Sequence, residues 1–223
     1  MPHPITPLLL LALSFLGLFG IAEFLYHSRK VKAEITRKIV HVGTGILTLL
    51  FPLLLHNHWE VLLLCGSFLI LLLASLRFKL LPSINAIDRV SHGSILYPIA
   101  VYGCYLAYSY AHKGLIMFYL PILTLAICDP VAALVGKRYP FGRYRIGASK
   151  KTLAGSLAFF ISCCVITILC LYFRPTPYFS MESILPVVFL IATTTAAVEA
   201  MSTKGTDNIF VPMVAVLDLI LIL

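Results

Sequence analysis

Eight stretches of mainly apolar residues, at about 7–26, 39–55, 59–76, 94–111, 115–135, 153–173, 184–202 and 207–223, follow one another with only short polar gaps between them. A bilayer core about 30 Å thick takes about 20 apolar helical residues to cross. A helix is also a conformation in which each run satisfies its own backbone in lipid. Eight runs occupy most of the 223 residues and leave little for a soluble domain. The expected fold is therefore all-α: one polytopic membrane bundle of about eight transmembrane helices, a single domain over 1–223. Composition agrees, with 60% apolar and 12% charged residues, against about 25% charged in soluble domains. A disordered chain is excluded and a soluble enzyme is not expected. The net charge of +8 does not indicate nucleic acid, because the basic residues sit in the gaps rather than on a soluble face.

Those gaps orient the bundle. Arg29, Lys30, Lys32, Arg37 and Lys38 fill the first, and Arg77, Lys79 and Arg89 the third. Lys137, Arg138, Arg143, Arg145, Lys150 and Lys151 fill the fifth, and Lys204 the seventh. The alternate gaps hold only Lys113 and Arg174. By the positive-inside rule the four basic gaps face the cytoplasm, or its topological equivalent, and both termini lie on the other side. The six cysteines all fall within apolar runs, without metal-ligand spacing, and read as packing residues of a non-secreted chain. No cleavable signal peptide is expected.

Most of the basic residues serve as topology anchors and headgroup contacts. The gap at 136–152 exceeds that need: six cations stand among Gly136, Gly142 and Gly147, with Gly155 just beyond. It suits a polyanion. Gly142 to Gly147 has the glycine spacing of a P-loop, but Ala148-Ser149 follows in place of Lys-Ser/Thr.

Acids within apolar runs are costly unless paired or hydrated, so each is a functional candidate. Asp129 precedes Pro130, which loosens the helix. Glu199 lies a turn before the cytoplasmic end of its run, and Asp207 and Asn208 open the last one. Arg37 and His41 share a face at the start of the second run. All fall at one membrane depth, facing the basic gap. Structural roles stay open beside these: Asp207 as a helix cap, His41 as an interhelical hydrogen-bond donor, Glu199 paired with an arginine such as Arg37. Asp218 lies toward the opposite end and is set apart. Thr193 to Thr195 and the tyrosines at 97, 102, 105, 108 and 110 read as packing and interface residues, and Ala132 with Gly136 as a small-residue face for close helix approach.

Carboxylates beside a Gly-rich basic loop suit a metal-bound nucleotide. Mg²⁺ binds through one or two carboxylates plus phosphate oxygens, and phosphoryl transfer asks mainly for positioning and charge neutralisation. From the residues alone, the chain reads as a nucleotide-dependent transferase acting on a lipid.

The stretch Asp129-Pro130-x-Ala132-x3-Gly136-Lys137 … Gly142 … Ser149-Lys150-Lys151-Thr152-x2-Gly155-Ser156 resembles the signature of the CTP-dependent lipid-alcohol kinases. That family includes dolichol kinase, phytol kinase and the CTP-dependent diacylglycerol kinase, and is related to the CDP-diacylglycerol synthases. Arg37-Lys38-x2-His41 resembles its early block, and Glu199 … Gly205-x-Asp207-Asn208-x3-Pro212 its C-terminal one. Ala154 stands where the family often has Glu. The longer ending of the CDP-diacylglycerol synthases has no counterpart here.

The resemblance implies a membrane kinase that phosphorylates the hydroxyl of phytol, a polyprenol or diacylglycerol, with CTP as co-substrate and Mg²⁺ as cofactor. Asp129, Asp207 and Glu199 would be catalytic: Asp129 would hold the metal or accept the hydroxyl proton, a choice the sequence leaves open, and Asp207, also a metal ligand, and Glu199 would complete the metal or acceptor site. Ser149, Lys150, Lys151, Thr152, Gly155, Ser156, Lys137, Arg143 and Arg145 would hold the nucleotide, and Arg37, His41 and Asn208 would complete the site. Its partners would be the lipid alcohol, the nucleotide and the bilayer, with no nucleic acid. The site would face the cytoplasm from a bacterial inner membrane or an ER or plastid equivalent. The rival readings are a phosphatidate cytidylyltransferase and a non-enzymatic lipid-binding or transport protein.

Overall fold

The computed structural model describes residues 5–87, 91–147, 149–173 and 181–223, with the side chains of 181–183 left aside. Arg89, Ala148 and Arg174 lie outside the described residues. Each of the eight apolar runs is helical. In chain order the elements are α1 (Ile5–Ser28), α2 (Ala33–Thr48), a short α3 (Phe51–Leu54) continuing it, α4 (His58–Phe78), a one-turn α5 (Pro82–Asn85) and α6 (Gly93–Ala111). Then come α7 (Ile116–Leu123), a π-helical turn (Thr124–Cys128), α8 (Asp129–Arg138), strands β1 (Arg143–Ile146) and β2 (Ser149–Thr152), α9 (Leu153–Tyr172), α10 (Met181–Met201) and α11 (Asp207–Ile222).

Among the described residues, six helices are long and apolar enough to cross a membrane: Ile5–Ser28, Ala33–Leu54, His58–Phe78, Ile116–Arg138, Leu153–Tyr172 and Ile184–Met201. They indicate an integral membrane protein. The other two expected spans fall short for different reasons: α6 is diluted by five tyrosines, and α11 has only 16 residues, about 24 Å of helix. The all-α expectation holds apart from one antiparallel hairpin, β1–β2, which the basic gap forms in place of an irregular loop.

Large apolar side chains such as Leu13, Ile70, Ile161 and Phe189 are exposed on the outside of α1, α4, α9 and α10. Such a surface suits lipid rather than water. The α7–π–α8 helix is the most enclosed of the six, with 56% of its apolar stretch buried. Met117, Phe118, Leu120 and Ile122 form one core cluster there with Phe159 of α9, Ile191 of α10 and Val211 and Leu219 of α11. This central helix carries Asp129 at its break.

Small residues bring the neighbouring helices close. A methyl group on Gly155 of α9 would stand 2.9 Å from the Ala132 carbonyl oxygen, and one on Gly136 would stand 2.6 Å from Thr152 Oγ1. The Ala132/Gly136 face thus packs on α9, as expected. Asp218, set apart by its position, accepts a hydrogen bond from Thr194 Oγ1 at 2.5 Å between α10 and α11.

Candidate active site

Pro130 shapes the site through the backbone. Across the π turn each carbonyl looks to the N–H five residues on, and for Leu125 that residue is Pro130, which has none. His41 Nε2 lies 2.9 Å from the orphaned Leu125 carbonyl oxygen. An oxygen can only accept, so Nε2 carries the proton and donates it. The interhelical role left open for His41 is real. It also sets the imidazole 4.0 Å from Asp129 Oδ2, with the Tyr97 ring edge-on at 5.1 Å.

Asp129 opens α8 with its side chain 27% exposed, toward a polar cavity of about 1570 Å³. Apart from the imidazole, no side chain among the described residues holds it by a hydrogen bond or ion pair. Opposite, Lys151 of β2 donates to Glu199 Oε1 at 2.7 Å and also to the Glu199 backbone carbonyl. Glu199 therefore pairs with Lys151 and not with Arg37, the arginine suggested by sequence. Its second oxygen, Oε2, is buried without a hydrogen-bond partner. Arg37 Nη2 donates to Ser91 Oγ at 2.6 Å.

The turn between α10 and α11 delivers the remaining groups. Gly205, at φ +86°, presses on the backbone of Gly93, where any Cβ would collide. His92 N–H donates to the Lys204 carbonyl at 2.8 Å, and Asn208 Nδ2 to the Gly93 carbonyl at 2.8 Å. Asp207 is the first residue of α11 and Thr206 precedes it as the flanking residue, so Asp207 is not the helix cap. Its Oδ1 accepts the Asn208 N–H at 3.1 Å. The carboxylates of Asp129, Glu199 and Asp207 lie within electrostatic reach of one another, with Lys151 among them.

Twelve of the fifteen residues named from sequence line this one cavity: Asp129, Asp207, Glu199, Lys137, Lys150, Lys151, Thr152, Gly155, Ser156, Arg37, His41 and Asn208. Ser149, Arg143 and Arg145 are not among its lining residues. Arg143 and Arg145 alternate with Tyr144, stand on the opposite face from Lys151 and are exposed, although their cross-strand partners Thr152 and Lys150 do line the cavity. Arg145 Nε closes the hairpin turn on the Gly147 carbonyl at 3.2 Å. Tyr144, which sequence reasoning missed, is bonded to Ser156 at 2.6 Å and ties the hairpin to α9. Thr152 caps α9 by accepting the Gly155 N–H at 3.0 Å. Glu34 and Ser91 also line the cavity without having been picked out; one is an ordinary first-turn acid, the other an unremarked serine.

No three His, Cys, Asp or Glu side chains converge among the described residues as a preformed metal site. A Mg²⁺ ion delivered with a nucleotide needs only one or two carboxylates beyond the phosphates and waters. The unpartnered Glu199 Oε2 and the nearby Asp207 carboxylate fit that requirement.

The chain is 31% identical to the phytol kinase of Synechocystis sp. over 206 residues, covering 91% of this chain and 86% of that one. No family model matches it, and no solved structure does.

Proposed function

The chain belongs to the lipid-alcohol kinase family that includes phytol kinase, and from that premise we propose that it transfers the γ-phosphoryl group of CTP to the hydroxyl of a phytol-like prenyl alcohol. The observation that carries this reading is the Lys151–Glu199 contact inside a cavity that also holds Asp129 and Asp207. Cations for a triphosphate and acids for a proton and a metal thus meet where a lipid hydroxyl and a water-borne nucleotide can both arrive.

In the proposed reaction the alcohol oxygen attacks the γ-phosphorus. The bond from that phosphorus to the bridging oxygen breaks, and CDP leaves with the bond's electrons. The hydroxyl proton passes to Asp129, which is more exposed than Glu199 and stands beside His41. His41 positions: its Nε2 proton is committed to the Leu125 carbonyl, so it is not the base through that nitrogen. Lys150, Lys151 and Lys137 hold the phosphates, worth most in a partly dehydrated cavity. Glu199 and Asp207 would hold Mg²⁺, which when bound would neutralise phosphate charge. The cavity lies at the basic end of the bundle and faces the cytoplasm in this reading.

The test is a panel of CTP, ATP, GTP and UTP against phytol, diacylglycerol and phosphatidic acid with detergent-purified protein, read by mass spectrometry. Phytyl monophosphate with CDP supports the proposal. Pyrophosphate with a CDP-lipid from phosphatidic acid would mean cytidylyl transfer instead. No turnover with any pair, together with no Mg²⁺-dependent nucleotide binding, would return the chain to a lipid-binding or transport role.

A further inference from the structure

The polar cavity has a neighbour on the side of α2 and α6. Arg37, His41 and Asn208 line it and also line a second cleft of about 690 Å³. That cleft runs between α1, α2, α4 and α6, walled by apolar side chains such as Phe15, Phe19, Leu64, Phe68 and Val101. On α2 the lining positions Arg37, His41, Thr44 and Thr48 recur at helical spacing, so the cleft follows one face of that helix. From Arg37 to Thr48 this is about 16 Å. Phe51 then floors the far end, 2% exposed, with the Phe15 ring 6.0 Å and the Phe118 ring 6.4 Å away.

The threonines do not make the cleft polar. Thr44 Oγ1 donates to the Val40 carbonyl at 2.8 Å and Thr48 Oγ1 to the Thr44 carbonyl at 2.7 Å, so both hydroxyls are spent on their own helix. Tyr97 Oη is different: it is buried beside Thr44 without a well-formed hydrogen bond. A hydroxyl entering an apolar cleft costs free energy unless it finds a partner, and Tyr97 Oη offers one a turn of α2 before His41.

We propose that this cleft holds the apolar chain of the acceptor alcohol, one chain per site, and passes its hydroxyl between His41 and Asn208 to Asp129. The proposal rests on the lipid-alcohol kinase reading and deepens it. Its path along one helix face suits one chain rather than two. Its three shared residues are where the apolar and polar halves of such a substrate would divide.

The test is acceptor length. Val101→Trp narrows the deep part of the cleft, and its turnover with geraniol and with phytol is measured in one preparation. The expected result is a rise of about tenfold or more in the geraniol-to-phytol ratio over wild type. A ratio is insensitive to the fraction of protein folded. An unchanged ratio overturns the cleft assignment while leaving kinase activity established by the wild-type control. If wild type phosphorylates neither alcohol, the functional reading itself fails. If the variant yields no protein, photocrosslinking of wild type with phytol bearing a diazirine at its chain terminus decides. Labelling of the segments holding Phe51, Leu64 or Val101, competed by unlabelled phytol, supports the cleft; labelling confined to the outer faces of α1, α9 or α10 overturns it.

Discussion

Lys151 binds Glu199 twice, through carboxylate Oε1 at 2.7 Å and through the backbone carbonyl, and so locks the basic hairpin onto the end of α10. The side chains are 15% and 9% exposed. Removing the cation strands a buried carboxylate, so Lys151→Ala is expected to cost about 3–5 kcal/mol of stability. A thermal melt in detergent checks this. Lys151→Ala/Glu199→Ala should melt nearer wild type and still lack kinase activity, because pairing and phosphate binding both need the lysine.

Pro130 serves geometry at the expense of backbone bonding. In Pro130→Ala the new N–H competes for the Leu125 carbonyl that His41 now holds. Stability should be equal or higher, since an interior proline costs about 3 kcal/mol. Turnover should fall about tenfold or more as His41 and Asp129 lose register. Paired melting and initial-rate measurements check both halves; unchanged turnover would remove the π turn from the account.

Much of this was legible in the sequence, for identifiable reasons. A bilayer-length apolar run has few options besides helix, so all eight runs proved helical. The acids and the basic gap also met, because they fall at the same ends of neighbouring helices. The hairpin was not legible. Its strands are four residues each, and the faces on which Arg143 and Arg145 stand are set by Tyr144 meeting Ser156, a tertiary contact. The partner of Glu199 escaped for the same reason. The π turn leaves no periodic trace beyond Pro130, and the Leu125 carbonyl it exposes is invisible to a pattern of side chains.

Gly205 lies at φ +86°, and a Cβ there would stand 2.5 Å from the Gly93 nitrogen. Gly205→Ala is expected to cost about 1–2 kcal/mol from the backbone alone. It should also lower activity more than that loss explains, by moving Asp207 and Asn208 off Gly93. Comparing melting temperature with turnover below the melt separates the two effects.

Chelation tests the acids' assignment to Mg²⁺. With EDTA in excess, turnover should vanish and return on adding Mg²⁺. Glu199→Gln should shift the Mg²⁺ concentration for half-maximal rate upward by about tenfold or more. Nucleotide affinity measured without metal should move less.

The most direct measurement of the central claim is product formation from CTP and phytol by purified Asp129→Asn beside wild type. The substitution preserves shape and removes the proton acceptor. Wild type should make CDP and phytyl monophosphate in equal amounts, and Asp129→Asn should make them at least about a hundredfold more slowly with an unchanged melting temperature. Near wild-type turnover by Asp129→Asn would contradict the assignment of this cavity as the kinase site.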